Sequence, residues 1–172
     1  MASVRPLREG DDRGGFRSGD PDLDRYFHKY AGQNQFRRHV GVTYVLEEEG
    51  AILGFATVAP GSLSAEAMRA AAKRKLPGYP VPILRLARLA VDERAGGQGI
   101  GTQLLRYVFT LALKMSEELG GVGVVVDAKP AAVDFYRKFN FLPLDEAAEP
   151  PGSARGTVSL FAPLVILRRA LE

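Results

Sequence analysis

The sequence predicts a single α/β domain of 172 residues with a mixed sheet at its centre. Three observations carry this. An apolar strand pattern, Ile83 to Val91, runs into a glycine-rich turn and then directly into a helical pattern. The short, wholly apolar segment Val122 to Val126 follows that helix, so strand, helix and strand form a crossover unit, expected to be right-handed, with parallel strands. Earlier in the chain, Val40, Val42, Tyr44 and Leu46 alternate, Glu48-Glu49-Gly50 turns, and Ile52 to Ala59 returns as the partner of a hairpin.

Other elements take their places along the chain. Val4 to Arg8 is a short opening strand. Asp20-Pro21 is a helix start, an N-cap followed by proline at the first helical position, and Leu23, Tyr26, Phe27, Tyr30 and Ala31 share one helical face. An alanine-rich helix, Ser64 to Lys75, precedes a proline-rich loop at 77–82. Leu104, Leu105, Val108, Phe109, Leu111, Ala112 and Met115 mark the long helix after the glycine-rich turn. Pro130 to Phe139 is the next helix, and Thr157 to Leu167 a closing strand.

Composition removes several functions. The chain is long enough to bury a real core and too short to favour two domains. Without cysteine there is no disulfide, no thiol catalysis and no cysteine-bound zinc, and His28 and His39 are too few for a histidine-rich metal site. No run of eighteen apolar residues occurs and the first residues lack a signal-peptide core, which predicts a soluble, cytoplasmic protein without a membrane partner.

The glycine-rich turn is the most informative segment. Gly96, Gly97, Gly99 and Gly101 put four glycines in six residues, more than a tight strand-to-helix turn requires. Successive N–H groups can then converge on an anion at the positive end of the helix that begins there. A nucleoside-triphosphate loop would end in Gly-Lys-Ser/Thr, whereas this one runs Gly99-Ile100-Gly101-Thr102 with no lysine. A dinucleotide fingerprint would place an acid at the end of the second strand, and Asp127 falls roughly there.

The surrounding residues resemble the GNAT superfamily of acyl-CoA-dependent N-acetyltransferases. Leu89-Ala-Val-Asp92 followed by Gly96-Gly-Gln-Gly-Ile-Gly101 is similar to that family's central motif, with Gly96 where Gln or Arg is usual. Val125 to Phe141 is similar to its final strand, helix and Phe-Tyr-x-x-x-Gly-Phe signature, with Asn140 in place of the glycine. Asparagine tolerates the left-handed conformation next best, so a helix C-cap is expected there. The resemblance implies one domain over 1–172, with a central mixed, mostly antiparallel twisted sheet and helices on both faces.

It also implies acetyl-CoA as cofactor. Gly96, Gly97, Gln98, Gly99, Ile100, Gly101 and Thr102 would bind it, with the pyrophosphate on the amides of Gln98 to Thr102. The pantetheine arm would pair along Leu89, Ala90 and Val91, where strands 83–91 and 122–126 are expected to splay, and an amide near Val91 would face the thioester oxygen. Tyr136, in the Phe135-Tyr136 pair, would be the general acid: a phenol with a pKa of about 10 is protonated at neutral pH and can protonate a departing thiolate. On helical spacing alone it reads equally as a core tyrosine. No residue stands out as a base; an α-amine with a pKa of about 8 is already partly neutral at working pH.

Charge bears on the acceptor. From Ala67 to Val91 the chain carries Arg69, Lys73, Arg74, Lys75, Arg85 and Arg88 and no acid, and Arg37-Arg38-His39 adds to this basic set. With a net charge of +3 and an isoelectric point near 9.3, a polyanion-binding surface and the solvated face of a small helix are both open readings. A narrower resemblance favours the first. Phe16 to Phe27, Ala31 to Gln35, Pro60-Gly-Ser62, Pro80 to Val91 and Leu160 to Leu164 are similar to the GNAT toxins of toxin–antitoxin pairs. That likeness implies acetylation of the α-amine of aminoacyl-tRNA, an RNA-binding role for Arg69, Lys73, Arg74, Arg85 and Arg88, and a small ribbon-helix-helix antitoxin as partner. A homodimer is compatible with it, although no residue is diagnostic.

Three functions stay open on sequence: a tRNA-directed acetyltransferase, an acetyltransferase for a small-molecule or protein amine, and a non-catalytic acyl-CoA-binding regulator.

Overall fold

The computed structural model describes residues 2–64, 66, 80–144 and 156–172. Hydrogen bonding joins seven strands in the order β1-β2-β3-β4-β5-β7-β6. These are β1 (Ser3–Pro6), β2 (Val42–Glu48), β3 (Ala51–Leu63), β4 (Val81–Val91), β5 (Gly123–Ala128), β6 (Leu142–Pro143) and β7 (Val158–Pro163). β1–β2, β2–β3, β5–β7 and β6–β7 are antiparallel, and β4–β5 is parallel, so the sheet is mixed and mostly antiparallel as expected. The chain forms two compact units, Met1–Ala59 with Ala87–Val108 and Pro60–Leu86 with Phe109–Glu172.

In the first unit, Asp20 caps α1 (Pro21–Arg25) by accepting the N–H groups of Asp22 and Leu23 at 2.9 and 3.3 Å. The helical path then widens into two π-helical turns, Tyr26–Tyr30 and Gln33–Arg37. The change of phase moves Tyr30 off the buried face: Tyr26, Phe27 and Ala31 are buried, whereas Tyr30 is 44% exposed. Phe16, Phe27 and Phe55 form the centre of this unit's core, Phe27 stacked on Phe55 with ring centroids 4.4 Å apart.

The predicted hairpin turns at Glu49 and Gly50, both at positive φ (51° and 81°), the geometry that suits the right-handed twist of paired strands. Val40 lies outside the strand and is exposed, contrary to the alternation seen in the sequence. Thr43, Val45 and Leu46 are buried instead, so β2 is covered on both faces, and the Thr43 and Thr57 hydroxyls satisfy each other at 2.7 Å. At the β1 edge, Arg5 donates two bonds to Asp11 and one to Glu47.

Gly54 of β3 is where the long helix comes close. A Cβ there would lie 2.8 Å from Ile100 Cγ2 and from Leu104 Cδ1, so only glycine lets the start of α2 (Ile100–Glu118) seat against the strand.

In the second unit, the parallel ladder pairs Leu84 with Val124, Arg85 with Val125 and Leu86 with Val126, as strand-helix-strand connectivity predicts. β4 begins at Val81, two residues before the predicted start, and β5 extends to Ala128. Val124, Val125 and Val126 are all buried, so this strand too is covered on both faces.

After a short 3₁₀ turn at Pro130–Ala132, α3 (Val133–Arg137) is a single helical segment that ends in the predicted left-handed cap: Asn140 has φ 65°, and the Phe141 N–H returns to the Tyr136 carbonyl. The closing strand is shorter than predicted. β7 stops at Pro163, and Leu164–Leu171 forms a helix, α4. Pro163 has no N–H to continue a ladder, and an apolar run such as Leu164-Val-Ile-Leu167 fits strand and helix equally on pattern alone. The predicted helix at 64–75, apart from Ser64 and Glu66, and residues 77–79 of the predicted loop fall outside the described residues, whereas Val81 and Pro82 of that loop already belong to β4.

Candidate functional site

The glycine-rich segment lies in the first unit. Asp92 comes directly after β4, is 1% exposed, and organises the turn that leads into the glycines. Its carboxylate accepts the N–H of Arg94 at 2.9 Å, the Arg94 guanidinium at 2.9 and 3.1 Å, and the N–H of Arg17 at 3.1 Å. Burial pushes this carboxyl up, but the bonds from Arg94 and the Arg17 N–H, with the Arg94 charge, outweigh it and hold the group below the usual carboxylate range. The main chain closes the same link, since Glu93 N–H donates to Arg17 O and Asp92 N–H to Leu53 O, each at 2.8 Å.

Beyond a 3₁₀ turn at Glu93–Ala95, Gly96, Gly97, Gln98 and Gly99 are all exposed. Gly97 and Gly99 adopt φ 79° and 76°, a left-handed conformation that strains other residues, and a Cβ on either would meet no protein atom within 4 Å. Gly99 O accepts the N–H of Gln103 at 3.0 Å, the first bond of α2. Among the described residues, the N–H groups of Gly97 to Thr102 make no hydrogen bond. They are the donor array an anion needs at a helix N-terminus, so the segment fits the diphosphate of a coenzyme. Gly96 (φ −59°) and Gly101, inside the helix, do not share the left-handed geometry.

Of the other predicted residues in this unit, Leu89 and Val91 are half-buried and Ala90 is buried. Arg88 is stacked over the Tyr26 ring, its guanidinium carbon 3.7 Å from the centroid. Tyr44 and Tyr107, for which no sequence motif gives a role, face each other with ring centroids 4.9 Å apart, and burial, then the Tyr107 neighbour, raise the Tyr44 phenol. His28 Nε2 lies 2.8 Å from Phe16 O, a structural contact.

Tyr136 lies in the second unit, on α3. It is 4% exposed, its ring set edge-on against Phe135 (5.1 Å) and Phe141 (5.3 Å). Burial raises its pKa, so the phenol keeps its proton throughout the neutral range. Its hydroxyl makes no hydrogen bond among the described residues, which leaves the proton uncommitted. Arg85 is not a free cation: its Nη1 lies 3.0 Å from Asp127 Oδ2, and Asp127 Oδ1 accepts the Ser159 hydroxyl at 2.6 Å. The acid considered for a dinucleotide ribose is thereby engaged within the sheet. The Asp127–Ser159 register of β5 and β7 builds this link, which no local sequence signal announces. Arg69, Lys73 and Arg74 lie outside the described residues.

Among the described residues no helix is long and apolar enough to cross a membrane. The chain matches the acetyltransferase (GNAT) domain over residues 39–143. It is 33% identical over 141 residues to a tRNA-acetylating toxin of Mycobacterium tuberculosis, covering 81% of this chain and 84% of that protein. Its fold is similar to the crystal structure of a bacterial toxin, with 22% identity, a TM-score of 0.86, and coverage of 99% of this chain and 95% of that one. It is likewise similar to AtaT complexed with acetyl-methionyl-tRNAfMet, with 23% identity, a TM-score of 0.83 and 100% of both chains covered. The chain belongs to the GNAT acetyltransferase family and is an acetyl-CoA-dependent N-acetyltransferase.

Proposed function

We propose that this enzyme transfers acetyl from acetyl-CoA to the α-amine of the amino acid carried by charged tRNA, and so blocks translation. The observation that carries the reading is the 33% identity, over four-fifths of the chain, to a tRNA-acetylating toxin. The exposed amides of Gly97 to Gly99 and their neighbours to Thr102 support the cofactor half of it.

In this reading the amides of residues 97–102 hold the coenzyme's diphosphate, the Gly96 N–H being turned to Glu93 O instead, and main-chain groups of Leu89, Ala90 and Val91 align its pantetheine arm. The neutral α-amine attacks the thioester carbon, a C–N bond forms, and the C–S bond breaks. Tyr136 gives its proton to the departing thiolate, the attacking nitrogen releases its extra proton to solvent, and the Tyr136 phenolate takes one back from solvent, so that protons balance over the turnover. Arg88 and the basic residues Arg69, Lys73 and Arg74 contribute charge toward the RNA backbone, whereas the Arg85 charge is paired with Asp127. We further assign residues 1–172 to one catalytic domain, a cytoplasmic location, a homodimer, and a ribbon-helix-helix antitoxin as partner.

The test is acetyl transfer from labelled acetyl-CoA to charged tRNA, uncharged tRNA, small amines and peptides. Label confined to charged tRNA supports the proposal. Label on small amines or peptides instead assigns the enzyme a different acceptor.

A further inference from the structure

A second feature of the first unit lies outside the acetyl-transfer machinery. A cleft of about 320 Å³ is lined by Glu9, Arg13, Gly32, Gln33, Phe36 and Arg37. Its volume is at the small end for ligand sites, suited to one unit of a polymer. We propose that this cleft binds a single ribonucleotide of the RNA substrate: Arg13 and Arg37 take its phosphate, Phe36 supports the base, and Glu9 accepts the ribose 2′-hydroxyl. This rests on the tRNA reading and extends it to a docking point.

The cleft is built by a helical path that departs from regular α geometry. The π-helical turn Gln33–Arg37 supplies Gln33, Phe36 and Arg37 to the lining, with Gly32 immediately before it. Such turns are less favourable than α-helix and concentrate at functional sites. Gly32 serves the same end, because a Cβ there would lie 3.0 Å from Arg13 Nη2 and 3.2 Å from Nη1. Arg13 is held in place by one bond, Nη1 to Phe27 O at 2.9 Å, and its remaining donors make no hydrogen bond among the described residues. Glu9, Arg13 and Arg37 form no ion pair among the described residues, so three charges line the cleft without neutralising one another.

The chemistry of the lining selects the ligand. Two guanidiniums bind a phosphate, and a half-buried aromatic ring, backed by the core, offers a face for stacking. A carboxylate disfavours bare phosphate but accepts a hydroxyl, which separates ribose from deoxyribose. Arg38 and His39, both exposed, extend the positive charge beside it.

The experiment measures binding of the full chain to uncharged tRNA, and to single-stranded DNA of equal length, from about 50 to about 200 mM salt. Arg37→Ala is expected to weaken RNA binding about 5–10-fold and to lower the salt slope by about one, while Lys114→Ala, the same charge change on α2, has little effect. Phe36→Leu keeps the core contact and is expected to weaken RNA binding without changing the salt slope. Glu9→Ala removes the acceptor and is expected to erase the preference for RNA over DNA. Acetyl-CoA affinity serves as the check on folding. RNA affinity and salt slope unchanged in Arg37→Ala would overturn the cleft assignment, even where the wild-type enzyme acetylates charged tRNA. RNA binding lost in Arg37→Ala from an enzyme that does not acetylate charged tRNA would uphold the cleft and overturn the acceptor.

Discussion

Asp92 accepts the main-chain N–H of Arg17, 75 residues earlier in the chain, at 3.1 Å. The bond ties the end of β4 to the segment that precedes α1. Asp92→Ala would leave the N–H groups of Arg17 and Arg94 without their acceptor, a loss of roughly 2–4 kcal/mol, and raise KM for acetyl-CoA by loosening the start of the glycine-rich segment. Denaturant unfolding and saturation kinetics on the variant measure both.

The same carboxylate gives a pH dependence. Its folded pKa is depressed, so its stabilising effect is complete above the unfolded value of about 3.9 and is lost as pH falls below that toward the folded value. Asp92→Asn should therefore be less stable than wild type at neutral pH, with the gap closing below about pH 4. A gap that stays constant well below the unfolded value would show that the carboxylate is not the source.

Tyr136→Phe removes one oxygen from a buried ring and leaves the packing against Phe135 and Phe141 intact. We expect kcat to fall roughly 10²–10⁴-fold, with acetyl-CoA affinity nearly unchanged. Because burial raises this phenol, the wild-type rate should show no alkaline loss from Tyr136 below its ordinary pKa of about 10. An unaltered kcat would place the acid elsewhere.

Gly99 separates conformational strain from ligand approach. Gly99→Asn retains access to the left-handed conformation and adds a side chain where the protein itself offers no obstruction. Titration calorimetry should show acetyl-CoA binding weakened at least tenfold with thermal stability preserved, and Gly99→Val should abolish binding. Wild-type affinity in both variants would remove the segment from the coenzyme site.

Arg85 and Asp127 allow the reverse experiment. If Arg85 faces RNA, Asp127→Asn frees its charge and should strengthen RNA binding by about two- to fivefold at low salt, while Arg85→Ala weakens it. Identical affinities across wild type and the two variants would confine Arg85 to the sheet.

Local signals in the sequence locate what local chemistry determines. Asp20-Pro21 marks a helix start that the cap hydrogen bonds confirm, Glu49-Gly50 turns at positive φ, and Asn140 takes the left-handed cap that glycine would otherwise occupy. Long-range partners are not legible. Asp92 reads as the end of a strand motif, and only the folded chain brings Arg17 to it; Arg85 reads as a free cation until β5 and β7 present Asp127 and Ser159. The π-helical turns carry no sequence signature, because an extra residue per turn leaves no compositional mark, and it is those turns that expose Tyr30. Leu164 to Leu167 suits a strand on sequence because β-branched and leucine residues in a short run carry no period.

The most direct measurement mixes limiting labelled acetyl-CoA with charged tRNA and competing small amines and peptides in one reaction, then hydrolyses the ester and identifies the labelled product. An N-acetylated amino acid released from tRNA is the expected product, its yield reduced by Tyr136→Phe. Label recovered on the free amines or peptides, with none on tRNA, would overturn the assignment of charged tRNA as the acceptor.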